Sequence, residues 1–338
     1  MKFFKKVNLF VFNWMTADEK KIDFAVGGQA VIEGVMMRSM NSIVISVRKQ
    51  NGKIKVNKKR YKTLIQKYRW LNIPILRGVI NLFEMMVIGS RAINFSASEA
   101  VEDDANVVDE KESSPKKQTK ASKIFELFFF IFSFIIAIGI SIALFKFIPL
   151  WVTTFLEGKS TYIKENYIVF NLIDGIIKMT IFLLYILILT FIPSFRRIFE
   201  YHGAEHKSIF TYESHKELTV ENAKTFTRFH PRCGTSFILI VFIISILVYT
   251  FIPKQPDFIE NFAVRIAILP LIAGISYEYL KISAKYSRNM FVKCLIAPGL
   301  WFQRLTTKEP DEHQLAVGLC SLKEALVLEE ALTAEKTL

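Results

Sequence analysis

A chain of 338 residues that is 51% hydrophobic, holds 31 phenylalanines and has a mean hydropathy of +0.30 is too apolar for an ordinary water-soluble enzyme, so a bilayer is its expected solvent. The formal charge of +13 is unevenly placed, with 18 Lys and Arg against 6 Asp and Glu in residues 1–99. Basic excess beside apolar spans points to anionic lipid headgroups as partners and away from nucleic acid, and three cysteines without paired spacing, Cys233, Cys294 and Cys320, exclude a disulfide framework.

Residues 1–15 mix lysines with Phe, Leu and Trp and suit a helix lying in the headgroup layer. From Phe24 to Arg38, glycines at 27, 28 and 34 punctuate short apolar pieces, which predicts strand and turn. A hairpin follows over 42–60: Ile43, Ile45 and Val47 alternate, Asn51-Gly52 turns the chain, and Ile54 and Val56 alternate on the return. Residues 63–98 read as helix interrupted near Pro74. Arg77, Glu84 and Arg91 recur every seven residues along one face, a stripe whose plainest reading is a solvated face. Residues 1–100 are thus predicted to form a small cytoplasmic α+β domain.

Between 101 and 122 the chain turns to Glu, Asp, Lys, Ser and Gln, the composition of a disordered linker. A transmembrane bundle is predicted over 123–282, with about four spans near 124–150, 168–193, 235–253 and 262–280. The second carries Asp174 and Lys178, the fourth Arg265 and Glu278, so both are expected to turn polar faces toward neighbours. The connection 194–234 opens with Arg196 and Arg197, and Lys281, Lys285, Arg288 and Lys293 follow the fourth span. The positive-inside bias therefore puts both termini and this connection in the cytoplasm. In the final part, 283–338, residues 290–305 are apolar but short and contain Pro298-Gly299, which reads as a broken interfacial or re-entrant segment. Leu315, Leu319, Leu322 and Leu326 then mark the packing face of an amphipathic C-terminal helix. No internal repeat points to a transporter built from duplicated halves.

The chemistry is concentrated in the 194–234 connection, which holds four of the five histidines. On a helix, His202 and His206 share a face with Glu205 beside them; this His-x-x-Glu-His order lets two imidazoles hold a metal while the carboxylate serves as general base. His230 and Cys233 stand at the entry to the third span and complete a candidate ligand set. Ligand type favours zinc among the divalent metals. Glu213, Glu221 and Glu278 are further candidate ligands or partners. Arg232, Glu33 and Arg38 are candidate substrate-binding groups, the last two closing over the site from the N-terminal domain. The competing reading is that histidines at this depth only make hydrogen bonds to headgroups and loops.

Five segments in order, Gly27–Arg38, Tyr201–Lys207, Leu218–Asn222, His230–Ser236 and Arg304–Asp311, resemble the YqhQ-like family of bacterial membrane proteins of unknown function. The resemblance covers about 24 to 330 and implies a multi-pass protein of the bacterial cytoplasmic (inner) membrane with metal-dependent activity. The sequence as a whole predicts an α-helical polytopic membrane protein with a small α+β N-terminal domain. Its expected function is metal-dependent hydrolysis of a lipid-linked or membrane-derived substrate. The alternative is a non-catalytic scaffold or regulator with a structural metal site and a membrane-protein partner.

Overall fold

The computed structural model describes residues 26–105, 120–285 and 289–337. The predicted N-terminal interfacial helix and most of the predicted linker lie outside them. Four strands, β1 (Gly27–Val31), β2 (Gly34–Arg38), β3 (Ser42–Arg48) and β4 (Ile54–Arg60), form an antiparallel sheet in the order β1-β2-β3-β4. The hairpin is present over the predicted residues, but its register opposes Ile45 to Asn57 and Ser46 to Val56. Directly opposed residues share a face and neighbours along a strand alternate, so Ile43, Ile45 and Val47 look one way and Ile54 and Val56 the other. Both faces of the sheet are therefore covered.

On one face, Val31, Met36, Ile43 and Val47 pack against Ile88 and Ala92 of helix α2 (Leu76–Ala105), which follows a short helix α1 (Leu64–Lys67) and a 3-10 turn. The break near Pro74 is where it was expected, and α2 continues through Ala105 into the stretch read as linker. Two of the three charges in the stripe on α2 are not solvated, while Arg91 is exposed. Glu84 is buried and accepts from the Tyr61 hydroxyl and the Leu64 amide, while Arg77 forms a two-bond ion pair with Glu278. A seven-residue repeat of charges records facing, and here the facing element is protein.

The other face takes Val35, Met37 and Val44 against Tyr201 and Ile209 of helix α7 (Pro193–Glu213) and Val317, Leu322 and Ala325 of helix α13 (Glu312–Thr337). Leu315, Leu319 and Leu322 are buried, so the leucine stripe is the packing face it was read to be. Ser321 of α13 donates to the Val35 and Val44 carbonyls, and Glu329 accepts from Ser39 and Asn41. The C-terminal helix is thus an integral layer of the N-terminal sheet. Satisfied buried polar groups of this kind contribute about 1 kcal/mol each, with a larger penalty when one partner is removed.

Three described helical stretches are long and apolar enough to cross a membrane: Ile131–Glu157, Tyr167–Leu189 and Phe258–Ser283. The first joins α3 (Lys120–Ile142) to α4 (Ile148–Glu157) through a π-helical turn, Ala143–Phe147. That turn precedes Pro149, which has no N–H to give the carbonyl four residues back. After α5 (Thr161–Glu165) comes α6 (Tyr167–Leu189). The third stretch consists of α10 (Phe258–Ala267) and α11 (Leu269–Lys285). The third predicted span, 235–253, is the short one of the four: α9 (Gly234–Thr250) is apolar and 17 residues long, against the roughly 20 of a full crossing, while the fourth falls within Phe258–Ser283. The short helix α8 (Val220–Lys224) lies between α7 and α9.

Polar residues in the spans do face inward. Asp174 of α6 receives Lys178 at 3.0 Å and Arg265 of α10 at 2.5 Å, Arg265 also reaches Asn171, and the Tyr249 hydroxyl donates to the Arg265 carbonyl. Finally, α12 (Met290–Thr306) runs unbroken through Pro298, against the expectation of a broken segment. Gly299 lets α12 approach Ser236 of α9, and buried Ile296, Leu300 and Phe302 hold the helix on its neighbours, which offsets the one hydrogen bond lost at proline.

Candidate metal centre

Helix α7 carries His202, Glu205 and His206 on one face, all buried. Gly203, a weak helix former, sits among them for a steric reason: a Cβ there would lie 2.1 Å from the Lys308 carbonyl oxygen. The loop Thr307–Asp311 wraps α7 at that point. The Lys308 amide donates to Phe199 O, and Glu309 pairs with Lys207.

Backbone carbonyls orient both histidine rings. His202 Nδ1 is 2.8 Å from the Thr306 carbonyl and His206 Nδ1 is 2.5 Å from the Arg228 carbonyl. A carbonyl only accepts, so each Nδ1 carries a proton and Nε2 is the nitrogen that faces inward. Cys233 caps the start of α9 and completes the group. One ligand atom from each of His202, His206 and Cys233 falls within 4.8 Å of the others. His206 Nε2 is buried without a hydrogen-bond partner, which costs free energy unless something fills the gap. Two imidazoles, a thiolate and histidines oriented from behind by carbonyls are a donor set that fits zinc.

Burial opposes charge throughout this group. The neighbouring imidazoles nonetheless pull the Cys233 thiol well below its ordinary range, and the Cys233 sulfur lifts His202 to about 9. Burial pushes the Glu205 carboxyl up, against the pull of His202 and His206. Its side chain lies over Gly28 of β1, where a Cβ would come within 2.9 Å of the carboxyl carbon.

The remaining predicted residues are placed around this group. His230 is buried next to it, its ring centroid 5.7 Å from that of His206, but its tautomer is the opposite one. Nδ1 accepts from the Arg232 amide at 3.3 Å and Nε2 faces Glu213 at 3.2 Å, so both nitrogens are engaged. Glu213 also pairs with Arg232. Glu221 is exposed in the first turn of α8 and Glu278 is paired with Arg77, so neither joins the group. Glu33, in the β1–β2 turn, receives Arg197 through two bonds of 2.5 Å and the Tyr201 hydroxyl at 3.1 Å, which docks the sheet onto α7. Arg38 points to a cavity beside His206.

Two cavities meet at Gly28, Met85, Glu205 and Gly234. The first, about 460 Å³, lies among α2, α7, α9 and α11 and reaches His202; the second, about 500 Å³, is bordered by Arg38, Thr63, His206, His230, Arg232 and Cys233. The reading from sequence missed Gly28 as the residue under Glu205, the Thr306 and Arg228 carbonyls, and Gln303. The buried Gln303 amide bonds both the N–H and the C=O of His230 as well as Ser236. The signal for part of this was present in the Arg304–Asp311 segment, whose role is to grip α7.

The family profile described as "Protein of unknown function (DUF1385)" matches residues 73–328. Over 313 residues, 91% of this chain and 94% of the relative, the chain is 34% identical to "Uncharacterized protein YqhQ" of Bacillus subtilis (strain 168). No solved structure matches. With both the profile and the relative spanning the helices that carry His202, His206 and Cys233, the chain belongs to the DUF1385 family of proteins of unknown function.

Proposed function

We propose that this chain is a membrane-bound, metal-dependent hydrolase whose centre faces the cytoplasm and takes a lipid-linked or membrane-derived substrate. His202, His206 and Cys233 would hold the ion, and His230 would support the ring of His206 from the side. The observation that carries the reading is the unpartnered Nε2 of His206, buried next to His202 and Cys233 where two cavities meet. Three protein ligands with open space beside them are the arrangement of a catalytic site; a structural site closes with four. A divalent ion there would supply Lewis-acid character. Glu205 borders both cavities, and burial raises its proton affinity, which suits a group that takes up and returns a proton. The basic excess of residues 1–99 and of Arg196 and Arg197 supports the cytoplasmic orientation.

Metal analysis of the purified protein, repeated on the His202→Ala/His206→Ala double variant, tests this. Stoichiometric zinc in the first and none in the second is the expected result, with Glu205→Gln keeping the metal while losing function in a cellular complementation assay. Wild-type protein that stays metal-free after zinc-replete preparation would sink the proposal.

A second reading has its own observation. Cys233 Sγ lies 3.2 Å from His202 Nε2 at the start of a helix, with Thr306 orienting the ring, and a metal-free thiol nucleophile needs these same parts. Rapid alkylation of Cys233 by iodoacetamide in protein prepared with zinc present would favour it.

A further inference from the structure

We infer that the two adjoining cavities hold one single-chain phospholipid, its acyl chain in the first and its phosphate in the second. This deepens the reading of the centre as hydrolytic by naming the class of substrate it would receive, and it concerns binding alone.

Three observations converge. The first cavity is walled largely by Leu82, Met85, Phe199, Phe237, Ile238 and Leu280, and among its polar residues the Asn81 amide donates to the Tyr277 hydroxyl at 2.8 Å. Its 460 Å³ is the size of a small-molecule site, and it lies against helices with exposed apolar residues such as Phe83 and Ile238, beside which a lipid chain already finds its solvent. The second cavity differs in kind. Arg232 on its rim is neutralised by Glu213, whereas the half-buried Arg38 meets no carboxylate among the described residues and lies between Met85 and the Tyr61 ring. A guanidinium held without a counter-charge favours a phosphate, which it can bond through two N–H groups. The cavities share Gly28, Met85, Glu205 and Gly234 in their walls, so a molecule with an apolar tail in one and an anionic head in the other would place its junction beside Glu205.

The test uses the full chain in phosphatidylcholine nanodiscs, with lysophosphatidic acid carrying a diazirine in its acyl chain as the probe. Cross-links are expected at Leu82, Met85 and Ile238. Unlabelled lysophosphatidic acid is expected to compete about tenfold better than monoacylglycerol of the same chain length, the worth of one charge-assisted contact. Arg38→Gln should remove that preference, and Arg38→Lys should retain most of it. Leu82→Trp should fill the cavity and suppress cross-linking; if that variant misfolds, the Arg38 pair still decides the outcome. Cross-links confined to the exposed surface of residues 131–140, equal competition by monoacylglycerol, or stronger displacement by an apolar decapeptide or by inorganic phosphate would each overturn the inference. Zinc measured in the same samples separates this from the proposal above. Phosphate-dependent cross-linking in the zinc-free His202→Ala/His206→Ala variant supports the lipid site whatever the fate of the hydrolase reading.

Discussion

The Nε2 atom of His202 lies 3.2 Å from the sulfur of Cys233, although 31 residues separate them in the chain. Helix α7 supplies one and the residue capping α9 the other, so the pair exists only when the two helices are docked. With cobalt(II) in place of zinc, wild-type protein should show a near-ultraviolet sulfur-to-cobalt charge-transfer band of the intensity of a single thiolate ligand. Cys233→Ser should abolish that band and weaken zinc binding by more than the roughly 10–100-fold typical of an outer-shell change. Retention of the band would exclude Cys233 as a ligand.

Gly203 carries a prediction opposite in sign to ordinary helix propensity. Gly→Ala inside a helix usually stabilises by about 0.5–1 kcal/mol. At Gly203 the added methyl would meet the Lys308 carbonyl, which is backbone and cannot swing away, whereas at Gly139 of α3 nothing lies within 4 Å. Gly203→Ala should therefore lower the thermal midpoint by several degrees, and Gly139→Ala should leave it unchanged or raised. Equal effects in a detergent thermal-shift assay would refute the close approach.

Gln303 gives a separate test of how His230 is held. Gln303→Leu removes the partners of the buried His230 N–H and C=O and of Ser236. A loss of roughly 2–4 kcal/mol is expected, since two buried backbone groups are left unmet. Chemical denaturation of the purified variant measures it.

The Glu213–His230–Arg232 group sets a pH dependence. Burial opposes ionisation of Glu213, but the His230 hydrogen bond and the Arg232 charge outweigh it and hold the carboxyl below its usual range. A depressed folded-state pKa contributes stability that is present above the unfolded value of about 4.3 and is lost as pH falls through the folded value. The thermal midpoint of wild type should exceed that of Glu213→Gln at pH 6, and the gap should begin to narrow as the pH falls below the unfolded value of about 4.3. A gap that does not narrow as the pH is lowered through the acid range would mean the carboxylate charge is not what matters.

In the bundle, Asp174→Asn should leave Lys178 and Arg265 without their counter-charge. A destabilisation of about 3–5 kcal/mol is expected, the range for breaking a buried pair from one side. Replacing Asp174 and Arg265 together by Leu and Met should recover part of it, because no unpaired cation from that pair remains. Steric trapping or denaturant titration in micelles would compare the two.

Much of this was legible along the chain. The apolar runs, the alternating strands, the leucine stripe of α13 and the His-x-x-Glu-His face of α7 follow from local periodicity, because a helix or strand repeats its facing every 3.6 or 2 residues whatever it packs against. The density of histidine between two apolar runs also located the candidate site before any contact was known.

What only the tertiary structure decided is partnership. Three histidines are chemically equivalent in the sequence, yet Thr306 and Arg228 carbonyls orient His202 and His206 with their Nε2 atoms inward, while Arg232 and Glu213 occupy both nitrogens of His230. Glu84 and Arg77 look solvated until α1 and α11 supply their partners, and Pro298 looks like a break until the packing of α12 holds the helix across it. Periodicity records which way a side chain points, but a hydrogen bond needs two atoms brought together within about 3 Å, and only the folded chain determines which second atom arrives.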